Sequence, residues 1–352
     1  MLDGDSILHL PIVVEELADR DIAQWDAYVA SCPQATFFHK AGWKRVIERS
    51  FGQATHFLLA KSDGQIRGLL PLAHYKSRLF GNALISNGCC MGGGPVADDE
   101  QTHDALDAAA SAMMDDLKAD FLEYRRPVRR HAEWASRDDL YVTFERAIEP
   151  GEEQNLKQIP RKQRAVVRKA IDAGLVAEID TTVDRFYPLY AETVHRLGTP
   201  VFSKSYFANL LEEFGADCDI LTVLSEGRPV SSVLSFYFRD RVMPYYAGAG
   251  EGAREVGAND FMYWRLMRHA VDRGYRMFDF GRSKIGSGPS AFKKNWGFEP
   301  LPVVHEYRVA GGGEVPEINP RNPKYRIFIA MWKRLPLPVA NLLGPYIVRN
   351  IG

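Results

Sequence analysis

A pair of apolar runs broken by a tight polar turn occurs twice along the chain. Residues 57–75 read FLLAKSDGQIRGLLPLAHY around Ser62-Asp63-Gly64, and residues 220–238 read ILTVLSEGRPVSSVLSFYF around Ser225-Glu226-Gly227. Apolar runs of this length flanking a Gly-containing turn predict β-hairpins. The two turn glycines stand 163 positions apart. The segments downstream of the two hairpins also correspond. After the first come Gly92-Gly93-Gly94-Pro95, a helical pattern near 101–118 and the strand Phe121-Leu122-Glu123-Tyr124. After the second come a Gly-containing stretch at 248–257, a helical pattern near 258–273 and the strand Arg276-Met277-Phe278-Asp279-Phe280. In the later helix, Met262, Leu266 and Ala270 run beside Tyr263, Met267 and Val271 as adjacent i,i+4 stripes, one buried face of period 3.6. The pattern predicts an α/β chain with mixed (α+β) sheets, one order of elements used twice.

Length agrees with a duplication. At 352 residues the chain has room for about two domains. They are drawn at 1–150 and 151–312, followed by a basic, aromatic tail at 313–352. With 46% hydrophobic and 25% charged residues the composition is that of a globular protein. No run of about 18 apolar residues occurs, and the N-terminus lacks a basic stretch followed by an apolar core. Cys32, Cys89, Cys90 and Cys218 show no CxxC spacing. A cytoplasmic protein is therefore expected.

The formal charge of −1 conceals strong local biases. Residues 1–31 carry seven acids and one base, and 98–120 carry eight acids and one base. By contrast Lys157, Arg161, Lys162, Arg164, Arg168 and Lys169 fall in 157–169 without an acid. Arg125, Arg126, Arg129 and Arg130 form a second cluster, and 318–352 hold six bases and no acid. On a helix over 157–169, Arg161, Arg164 and Arg168 share one face, as a solvated surface or as a phosphate-binding array. For the tail, KYRIFIAMWKRL (324–335) mixes bases with Ile327, Phe328, Ile329, Met331 and Trp332. It packs on a domain or rests on an anionic membrane leaflet.

Hairpin, strand, glycine turn, helix, strand is the element order of the GNAT acyltransferase fold. Arg254-Glu255-Val256-Gly257-Ala258-Asn259, at a strand-to-helix turn, resembles the RxxGxG/A signature with which GNAT enzymes wrap a phosphate in backbone amides, with Asn259 in the last small position. Ala291-Phe292-Lys293-Lys294-Asn295-Trp296-Gly297-Phe298 resembles the closing helix of that fold. Two such domains, with IPRKQRAVVRKAIDAGL (159–175) ahead of the second, resemble the FemAB family over roughly residues 20–310. Those are tandem GNAT-fold aminoacyltransferases that build peptidoglycan cross-bridges from aminoacyl-tRNA. GTPVF (198–202), FDFGRSK (278–284), FKKNWGF (292–298) and NPKY (322–325) resemble more narrowly the FemAB-like subgroup that accompanies exosortase/PEP-CTERM exopolysaccharide systems. The long coiled-coil arm of some FemAB enzymes has no counterpart here.

The resemblance implies acyl transfer to an amine, with aminoacyl-tRNA or acyl-CoA as co-substrate and no permanently bound cofactor. An envelope saccharide or peptidoglycan-type precursor would be the acceptor, and DNA is not expected as a partner. Lys293 corresponds to the reaction-centre lysine of that family, whose ammonium stabilises a developing oxyanion. Asp279, at the end of a central strand, either accepts a proton and orients the acceptor or is buried against Arg282. Arg282, Ser283 and Lys284 come after that strand end, where loops of open α/β sheets carry ligand contacts. Tyr245, Tyr246, Tyr263 and Trp264 either wall a substrate or belong to the core, and Lys294 and His195 are further candidates. Arg254, Gly257 and Asn259 would meet the donor, and Arg161, Lys162, Arg164 and Arg168 a phosphate. The chain shows neither a GxSxG elbow nor zinc spacing, which fits direct transfer with no acylated side chain. A coenzyme A-dependent enzyme on the same fold and a non-catalytic membrane assembly factor are the rival readings.

Overall fold

The computed structural model describes residues 11–77, 80–313, 315 and 323–350. The first half runs β1 (Val13–Glu16), α1 (Ile22–Ser31), α2 (Gly42–Phe51), β2 (Ala54–Ser62), β3 (Gln65–Ser77) and β4 (Gly81–Ser86). It continues with β5 (Val96–Ala97), α3 (Glu100–Asp116), β6 (Phe121–Arg126), β7 (Ala135–Arg137) and β8 (Tyr141–Ala147). The second half opens with α4 (Glu152–Gln158), α5 (Arg161–Asp172), β9 (Val176–Asp180), α6 (Phe186–Leu197) and α7 (Lys204–Phe214). Then come β10 (Cys218–Ser225), β11 (Arg228–Phe238), β12 (Arg241–Ala249), α8 (Ala258–Asp272) and β13 (Met277–Asp279). The half ends with β14 (Ser283–Lys284), α9 (Gly288–Asn295), β15 (Pro300–Pro302) and β16 (Val304–Val309). Two tail helices, α10 (Pro323–Trp332) and α11 (Leu337–Val348), complete the described chain.

The duplication is visible at atomic detail. Both hairpins close through two-residue turns whose central residues have positive φ, Asp63 and Gly64 at 52° and 70°, Glu226 and Gly227 at 50° and 75°. Such turns match the twist of paired strands, and glycine takes the second position without a Cβ clash. Each hairpin also slips register three residues before its turn, between Ala60 and Lys61 and between Val223 and Leu224. Shifted by 163, the first half's β1, α1, α2, β2, β3 and β4 correspond in order to β9, α6, α7, β10, β11 and β12. These are two mixed sheets of one tandem fold, as the pattern predicts.

The sheets exchange their last strands. One sheet has the order β1-β2-β3-β4-β6-β16-β7, the other β14-β8-β13-β12-β11-β10-β9. Strand β8, within the segment drawn as the first domain, pairs with β13 of the second sheet, while β16 pairs with β6 of the first. A shared aromatic core joins the halves: Phe37 stacks on Phe236 at 4.6 Å and meets Phe214 at 4.7 Å. Around it the repeat-related helices α2 and α7 pack together, with Arg45 paired to Glu213 and Arg49 to Glu212. This fixes the rim of the second sheet against the first and leaves clefts along their junction.

Candidate active site

Strands β12 and β13 are parallel but pair only through Arg241–Met277 and Val242–Phe278. Beyond that point they part. The opening holds a cleft of about 430 Å3, lined by Tyr245, Ala247 and Ala249 from β12 and by Phe280, Arg282 and Ser283 after β13. Asn259 and Tyr263 from α8 and Phe292 and Lys293 from α9 complete its wall. Ser283 is buried, and its Oγ has no hydrogen-bond partner.

At one end this splay cleft adjoins a second of about 460 Å3 at the β12–α8 loop, with which it shares Arg196, Ala249, Asn259 and Phe292. Arg254 and Gly257 line the loop cleft. Gly257 sits at the start of α8 with φ 69°, a left-handed geometry that glycine adopts freely, and no side chain caps the helix there. The same pocket carries acids. Glu255 and Asp260 line it, and Asp260 accepts a hydrogen bond from Trp296 Nε1 at 2.9 Å.

At its other end the splay cleft meets an interdomain cleft of about 420 Å3, lined by Thr36, Phe38 and Arg126 from the first half and Thr143, Glu145, Arg241 and Asp279 around the second sheet. Met91 and Arg282 line both. They form the partition. The Arg282 backbone N–H donates to Met91 Sδ at 2.9 Å, and Met91 Cε crowds Gly281, 2.5 Å from where a Cβ would stand. The Arg282 guanidinium lies over the Tyr141 ring at 4.3 Å and 3.3 Å from His305 Nε2. His305 Nδ1 in turn lies 2.8 Å from Glu123, which accepts from Arg125 Nε.

Met91 reaches this place on a constrained loop. Asn87 and Cys89 adopt positive φ, 51° and 63°, which is costly for residues bearing a Cβ. Arg125 donates to Cys90 O at 2.8 Å and Tyr245 to Cys89 O at 3.1 Å. The glycine-rich segment that corresponds to the β12–α8 loop in the repeat thus holds Met91 in the second half's cleft.

Lys293 and Asp279 flank the partition from opposite sides. Lys293 Nζ donates to the carbonyls of Gly281 at 2.8 Å and Arg282 at 3.3 Å and sits 5.6 Å from the Phe144 and Phe280 rings. Burial lowers its ammonium from the ordinary value to about 8, with Asp279 opposing that fall. Asp279 Oδ1 accepts from the Gly281 N–H at 2.9 Å. Burial raises its carboxyl above the usual range, the Gly281 hydrogen bond opposes this and nearby Glu145 adds to it. Burial thus disfavours the charged form of both groups, one on each side of the partition.

Half of the sequence candidates converge here. Arg254, Gly257, Asn259, Tyr263, Arg282, Ser283, Lys293 and Asp279 line the connected clefts. Others do not. Tyr246 bonds Tyr206 in the shared core with its ring edge-to-face on Tyr245 at 4.8 Å, and Trp264 is buried beside Phe261. Both belong to the core: Tyr246 lies in the aromatic cluster joining the halves, and Trp264 is on the inner face of α8. The expected helix over 157–169 is broken at Pro160, which disfavours helix in the residue before it, so Lys157 belongs to α4 and α5 starts at Arg161. Arg164 is spent on the carbonyls of Lys157 and Ile159, while Arg161, Lys162 and Arg168 line none of the three clefts. Lys284 pairs in β14, Lys294 is exposed and His195 lies outside the clefts. Met91 was missed by residue type; its signal was its place before Gly92-Gly93-Gly94. Among the described residues no helix is long and apolar enough to cross a membrane.

Residues 154–294 match the family described as acetyltransferase (GNAT) domain. No curated protein sequence matches the chain. Among solved structures, the chain is similar to FemX with a TM-score of 0.64 at 16% identity, over 83% of this chain and 96% of FemX. A tandem GNAT protein from the clavulanic acid biosynthesis pathway aligns at TM-score 0.53 and 13% identity, over 87% of this chain and 100% of that one. L-PGS from Bacillus licheniformis aligns at TM-score 0.53 and 14% identity, over 96% and 98%. The chain is an acyltransferase on a tandem GNAT fold.

Proposed function

We propose that the chain transfers an aminoacyl group, or a simpler acyl group, to an amine on a nucleotide- or lipid-linked cell-envelope saccharide. The observation carrying this reading is the junction of two clefts at Met91 and Arg282, with Lys293 on one side and Asp279 on the other. The similarity to FemX and the FemAB-like motifs support it. An exopolysaccharide system of the exosortase/PEP-CTERM kind is the setting the subgroup resemblance implies.

The donor carbonyl lies in the splay cleft and the acceptor amine enters from the interdomain side. As the C–N bond forms and the ester or thioester bond breaks, Asp279 takes one proton from the acceptor ammonium. The second amine proton passes to the departing oxygen or sulfur. Lys293 spends two of its three N–H groups on Gly281 and Arg282, and the third meets the developing oxyanion. Arg282 orients the acceptor at the partition. Arg161, Lys162 and Arg168 on the α5 surface steer a polyanionic donor such as tRNA.

A second reading keeps the fold and changes the donor. Gly257 and Arg254 at the uncapped start of α8 favour the diphosphate of acyl-CoA, the co-substrate of GNAT domains. Glu255 and Asp260 in the same pocket weigh against it. Purified protein is offered charged tRNA and acyl-CoA separately beside extracted cell-envelope glycans. Mass gain on an amine with charged tRNA supports the first reading, and gain with acyl-CoA alone replaces it with the second.

A further inference from the structure

The tail helices are apolar on the side that faces water. On α11 the residues Ala340, Gly344 and Val348, spaced four apart, are buried. Gly344 lies against the Val201 backbone, and Gln53 Nε2 donates to Arg349 O at 2.8 Å. On α10 Trp332 is buried and Ile329 crowds Gly198, as does Lys333 just after the helix. These contacts dock the tail on the segment after α6. The opposite faces are then exposed, yet they carry Ile327 and Met331 on α10 and Val339, Leu342, Leu343 and Tyr346 on α11. Met331, Leu342 and Tyr346 are 65%, 66% and 60% exposed. A surface helix ordinarily turns polar residues outward, and one apolar all round is covered by something.

Charge selects the cover. Residues 318–352 contain six bases and no acid. Lys333 and Arg334 stand between the two helices, and Arg349 after α11. An apolar helical face flanked by cations and too short to span fits the headgroup region of an anionic bilayer. We infer that α10 and α11 seat the protein on an anionic lipid surface, with Leu342, Leu343 and Tyr346 entering the acyl boundary and Lys333, Arg334 and Arg349 meeting headgroup phosphates. This goes beyond the transfer reaction and does not depend on it.

The test sediments the full chain with vesicles of phosphatidylglycerol and phosphatidylcholine, or of phosphatidylcholine alone, and measures its mass in solution across concentrations. Wild type binds the anionic vesicles, and binding weakens as salt rises from about 0.1 M to about 0.5 M. The exposed-site double variant Leu342→Glu/Tyr346→Glu abolishes binding. Lys333→Ala/Arg334→Ala weakens it at least about tenfold, from the contribution of two basic residues near a charged leaflet. Val128→Glu, equally exposed elsewhere, leaves it unchanged. Absence of binding to anionic vesicles, equal binding by the Leu342→Glu/Tyr346→Glu variant, or a concentration-dependent dimer that this variant dissolves overturns the inference, the last by making a second copy the occupant.

Discussion

The ammonium of Lys293 lies among aromatic rings and is held by two backbone carbonyls, so burial works against its charge while geometry uses it. If the charged form serves the oxyanion, the transfer rate falls as pH rises through about 8, where this group loses its proton. A pH–kcat profile reads this directly, and a profile flat to about pH 10 contradicts it. His131 in the first half carries the opposite shift. Burial opposes its charge, but the hydrogen bond to Asp107 and the Glu306 carboxylate 3.4 Å from Nδ1 push it up to about 9. Because the folded value exceeds the unfolded one, its stabilisation is full below about pH 6.5 and is lost as pH rises through about 9. His131→Ala should lower stability at about pH 6 by on the order of 2 kcal/mol, with a smaller loss at about pH 9.5, in paired urea melts. At this scale a motif marked a place in the cleft, as at Lys293 in FKKNWGF. The sequence was silent on facing: Tyr245 and Tyr246 read alike, yet at the register shift of β12 Tyr245 reaches the cleft while Tyr246 is buried against Tyr206.

The loop between β4 and β5 brings a first-half side chain into the second half's cleft. Its two left-handed non-glycine residues and its bonds from Arg125 and Tyr245 hold Met91 between the splay and interdomain clefts. Truncation by Met91→Ala should merge the clefts and let longer acyl donors react, whereas Met91→Leu keeps the wild-type preference. A competition among donors of increasing acyl length, with products separated by mass, distinguishes the two. Unchanged selectivity in Met91→Ala would show that the partition does not set donor size. Elements with strong local signals, the hairpins with Asp63-Gly64 and Glu226-Gly227 turns, were legible in the chain. Met91's task was not, since it arises from contact with Arg282, 191 positions away. The basic stretch misled through Pro160, whose effect on the preceding residue outweighs a continuous charge pattern.

Across the whole molecule, duplication was readable from the 163-residue spacing. The exchange of β8 and β16 was not, because short strands carry no mark of their partner sheet. The exchange has a consequence for folding. A fragment of residues 151–352 lacks β8, the neighbour of β13, β14 and β15, and leaves β16 without β6. It should not melt cooperatively alone, and co-expression with 1–150 should restore a single transition in calorimetry. A cooperative melt of the isolated fragment would mean the halves are independent. The same architecture brings both halves to the proposed reaction centre, with Met91 from one and Lys293 from the other. The most direct test of that claim incubates wild type and Lys293→Gln, matched for thermal stability, with charged tRNA and extracted envelope glycans, and follows acceptor mass. Wild type should add an aminoacyl mass to an acceptor amine, and Lys293→Gln should slow that step by about 10²–10³-fold. Transfer by Lys293→Gln at the wild-type rate would contradict the account.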